Sequence, residues 1–245
     1  MTVLIALARH LGTASLSGIV AGVLVGGLLG RLVMRVSGYM AGPALAGVHT
    51  ENGNVVGDIT AAGTIALIIF VGLPSGILGG LLYALLEPWL RRLRPWHGLA
   101  YGVALLATAG FAFLDPVNFD FRRFGVPALN VAMFAALFVL FGVATAWLFE
   151  RLSVLRAGAT VAARTVDILT WLALLLGGLV VLLFLGGGAG LEPILAIVIV
   201  AVLLVPAIVR WRGLPPAIGY ASLIAVLLLG AARTLTGVLQ LLTGT

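Results

Sequence analysis

Residues 11–34 read LGTASLSGIVAGVLVGGLLGRLVM, and this stretch decides the fold class. No charge interrupts it before Arg31, and a helix of this length spans the roughly 30 Å of bilayer hydrocarbon. Within it Gly18, Gly22, Gly26 and Gly30 recur every fourth residue and line one helix face. Lipid tails are as apolar as leucine, so membrane helices associate where small residues let backbones approach, and this is the spacing that allows it. A second apolar run carries Gly72, Gly76 and Gly80 at the same interval. Such a pair of stripes, a glycine zipper, predicts that the first two helices pack on each other within the chain. The other reading is a face for a homo-oligomer or a membrane protein partner.

Further runs of comparable length follow, giving seven in all: about Leu11 to Met34, Thr64 to Leu86, Gly98 to Leu114, Ala128 to Phe149, Val166 to Leu185, Pro193 to Val209 and Ala217 to Thr236. The expected fold is therefore an all-α, polytopic transmembrane bundle of about seven helices. Pro74 and Pro206 fall inside their runs and predict kinks there. Residues 1–150 hold most of the glycine and the polar motifs and read as a four-helix module. Residues 151–165 read as a cytoplasmic linker containing a short amphipathic helix, and residues 166–245 as three further, plainer spans.

Composition agrees. Across 245 residues 62% are hydrophobic and 9% charged, with a mean hydropathy of +1.23, whereas a soluble domain carries roughly a quarter charged residues. The net charge of +6 does not imply nucleic acid, because the arginines are scattered between apolar runs and form no basic face with interleaved aromatics. All fourteen basic residues are arginine. With no lysine there is no Schiff-base chemistry, so a seven-helix count does not imply a retinal protein. With no cysteine there is neither a thiolate catalyst nor a disulfide.

Arginine placement sets the expected orientation. Arg9, Arg91, Arg92, Arg94, Arg151, Arg156, Arg164, Arg210 and Arg212 fall on one side of the runs; Arg31, Arg35, Arg122, Arg123 and Arg233 fall on the other. Positive residues favour the cytoplasm, which predicts a multi-pass cell-membrane protein with its N-terminus inside and its C-terminus outside. Trp89, Trp96 and Trp211 lie in the cytoplasmic connections, as interfacial anchors do. The opening MTVLIALARHLG lacks a basic n-region and reads as an interfacial lead-in rather than a signal peptide.

Two outer loops carry the polar motifs. In GVHTENGNVVGDIT, Asn52 and Gly53 sit between short extended runs, the composition of a two-residue turn, and predict a small extracytoplasmic β-hairpin. Asp58 and Thr60 then stand where they can cap the second helix. In DPVNFDFRRFGVP, charges alternate with Phe119, Phe121 and Phe124, a pattern suited to the headgroup level. Arg31 and Arg35 close the first helix on the side where positive charge is least expected. Their placement implies local anionic partners, so the candidate binding site is an outer-face cluster of Arg31, Arg35, Asp58, Asp115, Asp120, Arg122 and Arg123. As bracing it ties the first four helices together; as a site it binds an anionic ligand or a lipid headgroup.

Catalytic readings lack their parts. Ser75, in GLPSG, needs a base within reach, and His10, His49 and His97 all fall near a membrane boundary or in a loop. No metal-ligand spacing is present and no cofactor is implied. GRLVMR closing a glycine-rich first helix, the Asn-Gly loop and DPVNFDFRRFG together resemble uncharacterised multi-spanning membrane proteins of GC-rich bacteria, over roughly the first 150 residues. That resemblance implies a bacterial inner-membrane protein and assigns no activity. The expected function is non-enzymatic: binding within the lipid bilayer as an accessory subunit or scaffold, with a small-solute transporter or channel as the alternative.

Overall fold

A computed structural model describes residues 2–42, 48–49, 59–114, 126–158, 160–186 and 216–243. Among these every regular element is a helix. Helix α1 begins as Thr2–Ala21, widens into a π-helical stretch, Gly22–Leu29, and resumes as Gly30–Met40. Helix α2 does the same, with Ala61–Leu67, a π stretch at Ile68–Gly72 and Leu73–Leu90. The shorter α3 is His97–Ala109, ending in a 3-10 turn. Helices α4 (Pro127–Arg156), α5 (Val161–Gly186) and α6 (Pro216–Thr243) complete the bundle. Five of these helices are long and apolar enough to cross a membrane, which makes the chain a multi-pass integral membrane protein. The run at Pro193 to Val209 and the hairpin turn at Asn52 and Gly53 lie outside the described residues.

Local chemistry explains where the helices start. Thr60 caps α2, its hydroxyl oxygen accepting from the Gly63 N–H at 3.1 Å. Pro127 opens α4 at a first-turn position where its missing N–H costs nothing. Pro74 stands just beyond the π stretch of α2, and the widened turn accommodates the backbone groups a mid-helix proline leaves unpaired. Residues 150–156 continue α4, and the chain turns at Ala157 and Gly158 before Thr160 caps α5 through the Ala163 N–H at 3.2 Å. The described residues on either side of residue 159 are thus a helix end with its turn and a capped helix start.

Contacts between backbones fix the packing. A Cβ on Gly18 would stand 2.7 Å from the Gly80 Cα, and one on Gly22 would stand 2.7 Å from the Gly76 Cα, so α1 and α2 run antiparallel with no room for side chains between them. Two other seams are made the same way. Between α3 and α4 a Cβ on Gly98 would meet the Val143 Cα at 2.9 Å, and one on Gly102 would meet the Val139 Cα at 2.6 Å. Between α3 and α6 a Cβ on Gly230 would meet the Thr108 Cα at 2.7 Å. In the last seam residue numbers rise together, Gly230 with Thr108 and Thr234 with Gly110, so α3 and α6 are parallel. Helices α1 and α5 are parallel too, since Arg9 pairs with Asp167 and Gly12 packs on Thr170.

A consequence of these directions is that Arg9, Arg91, Arg92, Arg94, Arg151, Arg156 and Arg164 gather at one end of the bundle, while Arg31, Arg35 and Arg233 lie toward the other. The core sits near the arginine-rich end, where Tyr83, Tyr101 and Phe149 join edge to face, with Tyr83 centroids 5.1 Å from Tyr101 and 5.3 Å from Phe149.

Candidate functional site

Of the expected outer-face cluster, the described residues contain Arg31 and Arg35; Asp58, Asp115, Asp120, Arg122 and Arg123 lie outside them. The two arginines do not share an environment although they stand one turn apart. Arg31 is only 8% exposed, and its guanidinium lies against Gly63 at the first turn of α2, where a Cβ would stand 2.7 Å from Nη2. Arg35 is exposed. Nearly two turns beyond Arg31, the buried Ser37 hydroxyl lies 2.6 Å from Asn130 Oδ1 and 3.1 Å from the Val33 carbonyl, which ties α1 to the start of α4. The far end thus brings together Arg31, Ser37, Thr60 and Asn130 from three helices. Ser37 and Asn130 are part of this cluster that the sequence does not single out.

A second polar cluster, at the arginine-rich end, carries most of the described ionic contacts. The Arg156 guanidinium crosses from α4 to α1 and donates through Nη1 to the Thr13 hydroxyl at 2.8 Å and to the Arg9 carbonyl at 2.9 Å. Arg9 itself faces Asp167 of α5 at 3.4 Å. Beside it Glu150 takes Arg94 at 2.5 Å and the His97 Nε2 at 3.4 Å, and Glu87 takes Arg91 one turn on at 3.8 Å. His10 lies under this layer, its Nε2 3.3 Å from the Ala84 carbonyl and its ring edge-on to Phe149 at 5.2 Å. The imidazoles of His10 and His97 are therefore both engaged with the protein. Among the described residues no three His, Asp or Glu side chains converge as metal ligands would.

Next to this ionic layer the fully buried polar groups are hydroxyls. Ser15, Thr145 and Thr170 are fully buried, and their hydroxyls find no hydrogen-bond partner among the described residues. Thr13 and Ser17 are also fully buried, each donating to a carbonyl one turn earlier at 2.7 Å. Ser75 donates to the Val71 carbonyl at 2.5 Å, so its hydroxyl is committed to its own helix in the way serine commonly is in apolar helices. Next to it the π stretches of α1 and α2 face each other, with a Cβ on Gly27 standing 2.6 Å from Ile68 Cγ1.

The stripe glycines divide at this point. Gly18 and Gly22 touch the α2 backbone, whereas a Cβ on Gly26 would sit at an ordinary 3.6 Å from the Gly72 Cα, and one on Gly30 would find only Leu67 Cδ2 and the Val25 carbonyl oxygen, both at 3.8 Å. A π turn inserts a residue into the helix and rotates everything after it, so the tight position moves from Gly26 to Gly27. No protein-family model, curated protein or solved structure matches this chain.

Proposed function

We propose that this protein is a seven-span protein of a bacterial inner membrane, N-terminus inside, that works by binding within the bilayer as an accessory subunit or scaffold. The observation that carries this reading is where its carboxylates stand. Among the described residues Glu87, Glu150 and Asp167 each face an arginine, Arg91, Arg94 and Arg9, at one end of the bundle, and the fully buried polar groups are hydroxyls. Ion-coupled transport uses ionisable groups at mid-depth, and covalent catalysis uses a nucleophile beside a base. Ser75 instead bonds its own helix. The seven-arginine end supports the orientation, since positive residues favour the cytoplasm. The parallel run of α5 and α6 supports the span count, because a chain leaving α5 at one face must enter α6 at the other. The glycine seam of α1 and α2 supports an intrachain zipper, and Arg31 against the first turn of α2 supports a carboxylate cluster with Asp58, at a helix end whose dipole favours an anion.

One feature favours the second reading, a small-solute transporter or channel. The facing π stretches Gly22–Leu29 and Ile68–Gly72, next to Pro74, give both helices a widened turn at the same level, and such turns recur where membrane helices bend in operation. Purification in native lipid discs followed by intact-mass spectrometry separates the two. Binding function predicts a protein partner in fixed stoichiometry. A lone chain that carries a small molecule, and that conducts solute flux in proteoliposomes, contradicts it.

A further inference from the structure

The geometry points to a phospholipid site at the groove between the far ends of α3 and α6, taking an anionic glycerophospholipid whose phosphate rests on Arg233. The groove encloses about 340 Å³, and its walls include Phe111, Leu114, Ala232, Arg233, Thr236 and Gln240. One of its walls belongs to an apolar cluster: Leu114 is buried with Leu241, and Leu106 and Val238 pack against them. Arg233 lies over the Phe111 ring, its Cζ 5.7 Å from the centroid, a contact that does not use up the five N–H donors of the guanidinium. An anion suits those donors, because an arginine on a membrane helix is costly unless its charge is met or reaches the interface. Among the described residues the carboxylates that meet arginines do so at the opposite end of the bundle.

Helical geometry selects the lipid. Arg233 and Gln240 share one face of α6, seven residues and so about 10 Å of rise apart. Thr236 donates its hydroxyl to the Ala232 carbonyl at 2.9 Å, which leaves Arg233 and Gln240 as the side-chain donors of the groove. A phosphate fits the bidentate guanidinium edge, and a hydroxylated headgroup reaching toward the end of the helix meets the Gln240 carboxamide. The groove offers one cation and, among its lining residues, no carboxylate for an ammonium group, so an anionic headgroup is preferred to a zwitterionic one. The acyl chain follows Phe111 and Leu114.

The test uses the full chain in discs of equal phosphatidylglycerol and phosphatidylethanolamine, with retained lipid counted by intact-mass spectrometry after gentle release. The wild type is expected to retain phosphatidylglycerol over phosphatidylethanolamine, and R233Q to lose that retention by about fivefold, the ratio one basic residue near a bilayer surface supplies. A232F, which fills the groove and keeps the charge, is expected to lose it too, whereas R233K keeps part of it and R164Q, at the other end, keeps all. Excess inorganic phosphate leaves the lipid in place. Equal retention of the two lipids, unchanged retention in R233Q or in A232F, or displacement by inorganic phosphate each overturns the proposal. Should R233Q and A232F fail to fold, the wild-type lipid preference and the phosphate competition still decide it.

Discussion

Gly22 of α1 and Gly76 of α2 meet so closely that a Cβ on Gly22 would stand 2.7 Å from the Gly76 Cα. Backbone lies on both sides of that contact, so no rotamer change can relieve a clash. Replacing Gly22 with alanine is therefore expected to lower stability by about 1 to 3 kcal/mol, the usual cost of overpacking. Leu24, 48% exposed on the lipid side, tolerates phenylalanine. Thermal unfolding of the purified variants measures both, and equal melting temperatures for G22A and L24F remove the packing explanation.

Because the π stretch rotates the later part of α1, Gly26 is expected to accept alanine with little loss. Its Cβ would make contacts of 3.6 Å to Gly72 and 3.9 Å to the Ser75 hydroxyl, while one on Gly27 would press on Ile68 at 2.6 Å. The ordering G27A less stable than G26A tests the register shift directly. The reverse ordering means that the four-residue stripe continues unbroken through Gly26 and that the widened turn is absent.

How much of this was legible in the sequence depends on how local each signal is. A four-residue glycine period is local, and it located the α1–α2 seam through Gly18, Gly22, Gly76 and Gly80. It could not show that a π turn would carry Gly26 and Gly30 off that seam, because no nearby residue type marks where such a turn begins. Gly98, Gly102 and Gly142 make an equally tight seam, yet Gly142 stands alone in its helix and announces no stripe. The link from Arg156 to Thr13 joins residues 143 apart, and nothing in either neighbourhood predicts it. Arginine side preference needed only the order of the runs, so the gathering of seven arginines at one end was readable, while Arg210 and Arg212 lie outside the described residues.

Ser37 and Asn130 offer a test of the far-end cluster. Both are buried, at 8% and 3% exposure, and the hydroxyl lies 2.6 Å from the carboxamide oxygen. Ser37→Ala removes one partner of a buried polar pair and is expected to cost about 1 to 3 kcal/mol. A double-mutant cycle with Asn130→Leu should show the two losses to be non-additive. Strict additivity rules out a direct bond between α1 and α4 at this point.

At the opposite end the expectation is smaller. Arg94 and Glu150 are 56% and 38% exposed, and ion pairs in such surroundings contribute about 0.2 to 1 kcal/mol. Glu150→Gln also releases His97, which the same carboxylate oxygen faces at 3.4 Å. The coupling between R94Q and E150Q, read from chemical unfolding, is expected to fall within that range and to shrink in high salt. A coupling that salt does not change would mean a pair closed to solvent.

The absence of cysteine from the chain gives the most direct test of a seven-span bundle with its arginine-rich end in the cytoplasm. Single cysteines at Arg92, Asn54, Gly190 and Arg212 are exposed to a membrane-impermeant thiol reagent on intact cells, and again after permeabilisation. Asn54→Cys and Gly190→Cys are predicted to react in intact cells, and Arg92→Cys and Arg212→Cys only once the membrane is opened. Labelling of Arg92→Cys from outside, or of Gly190→Cys and Arg212→Cys from the same side, would contradict the orientation in the first case and the seventh span in the second.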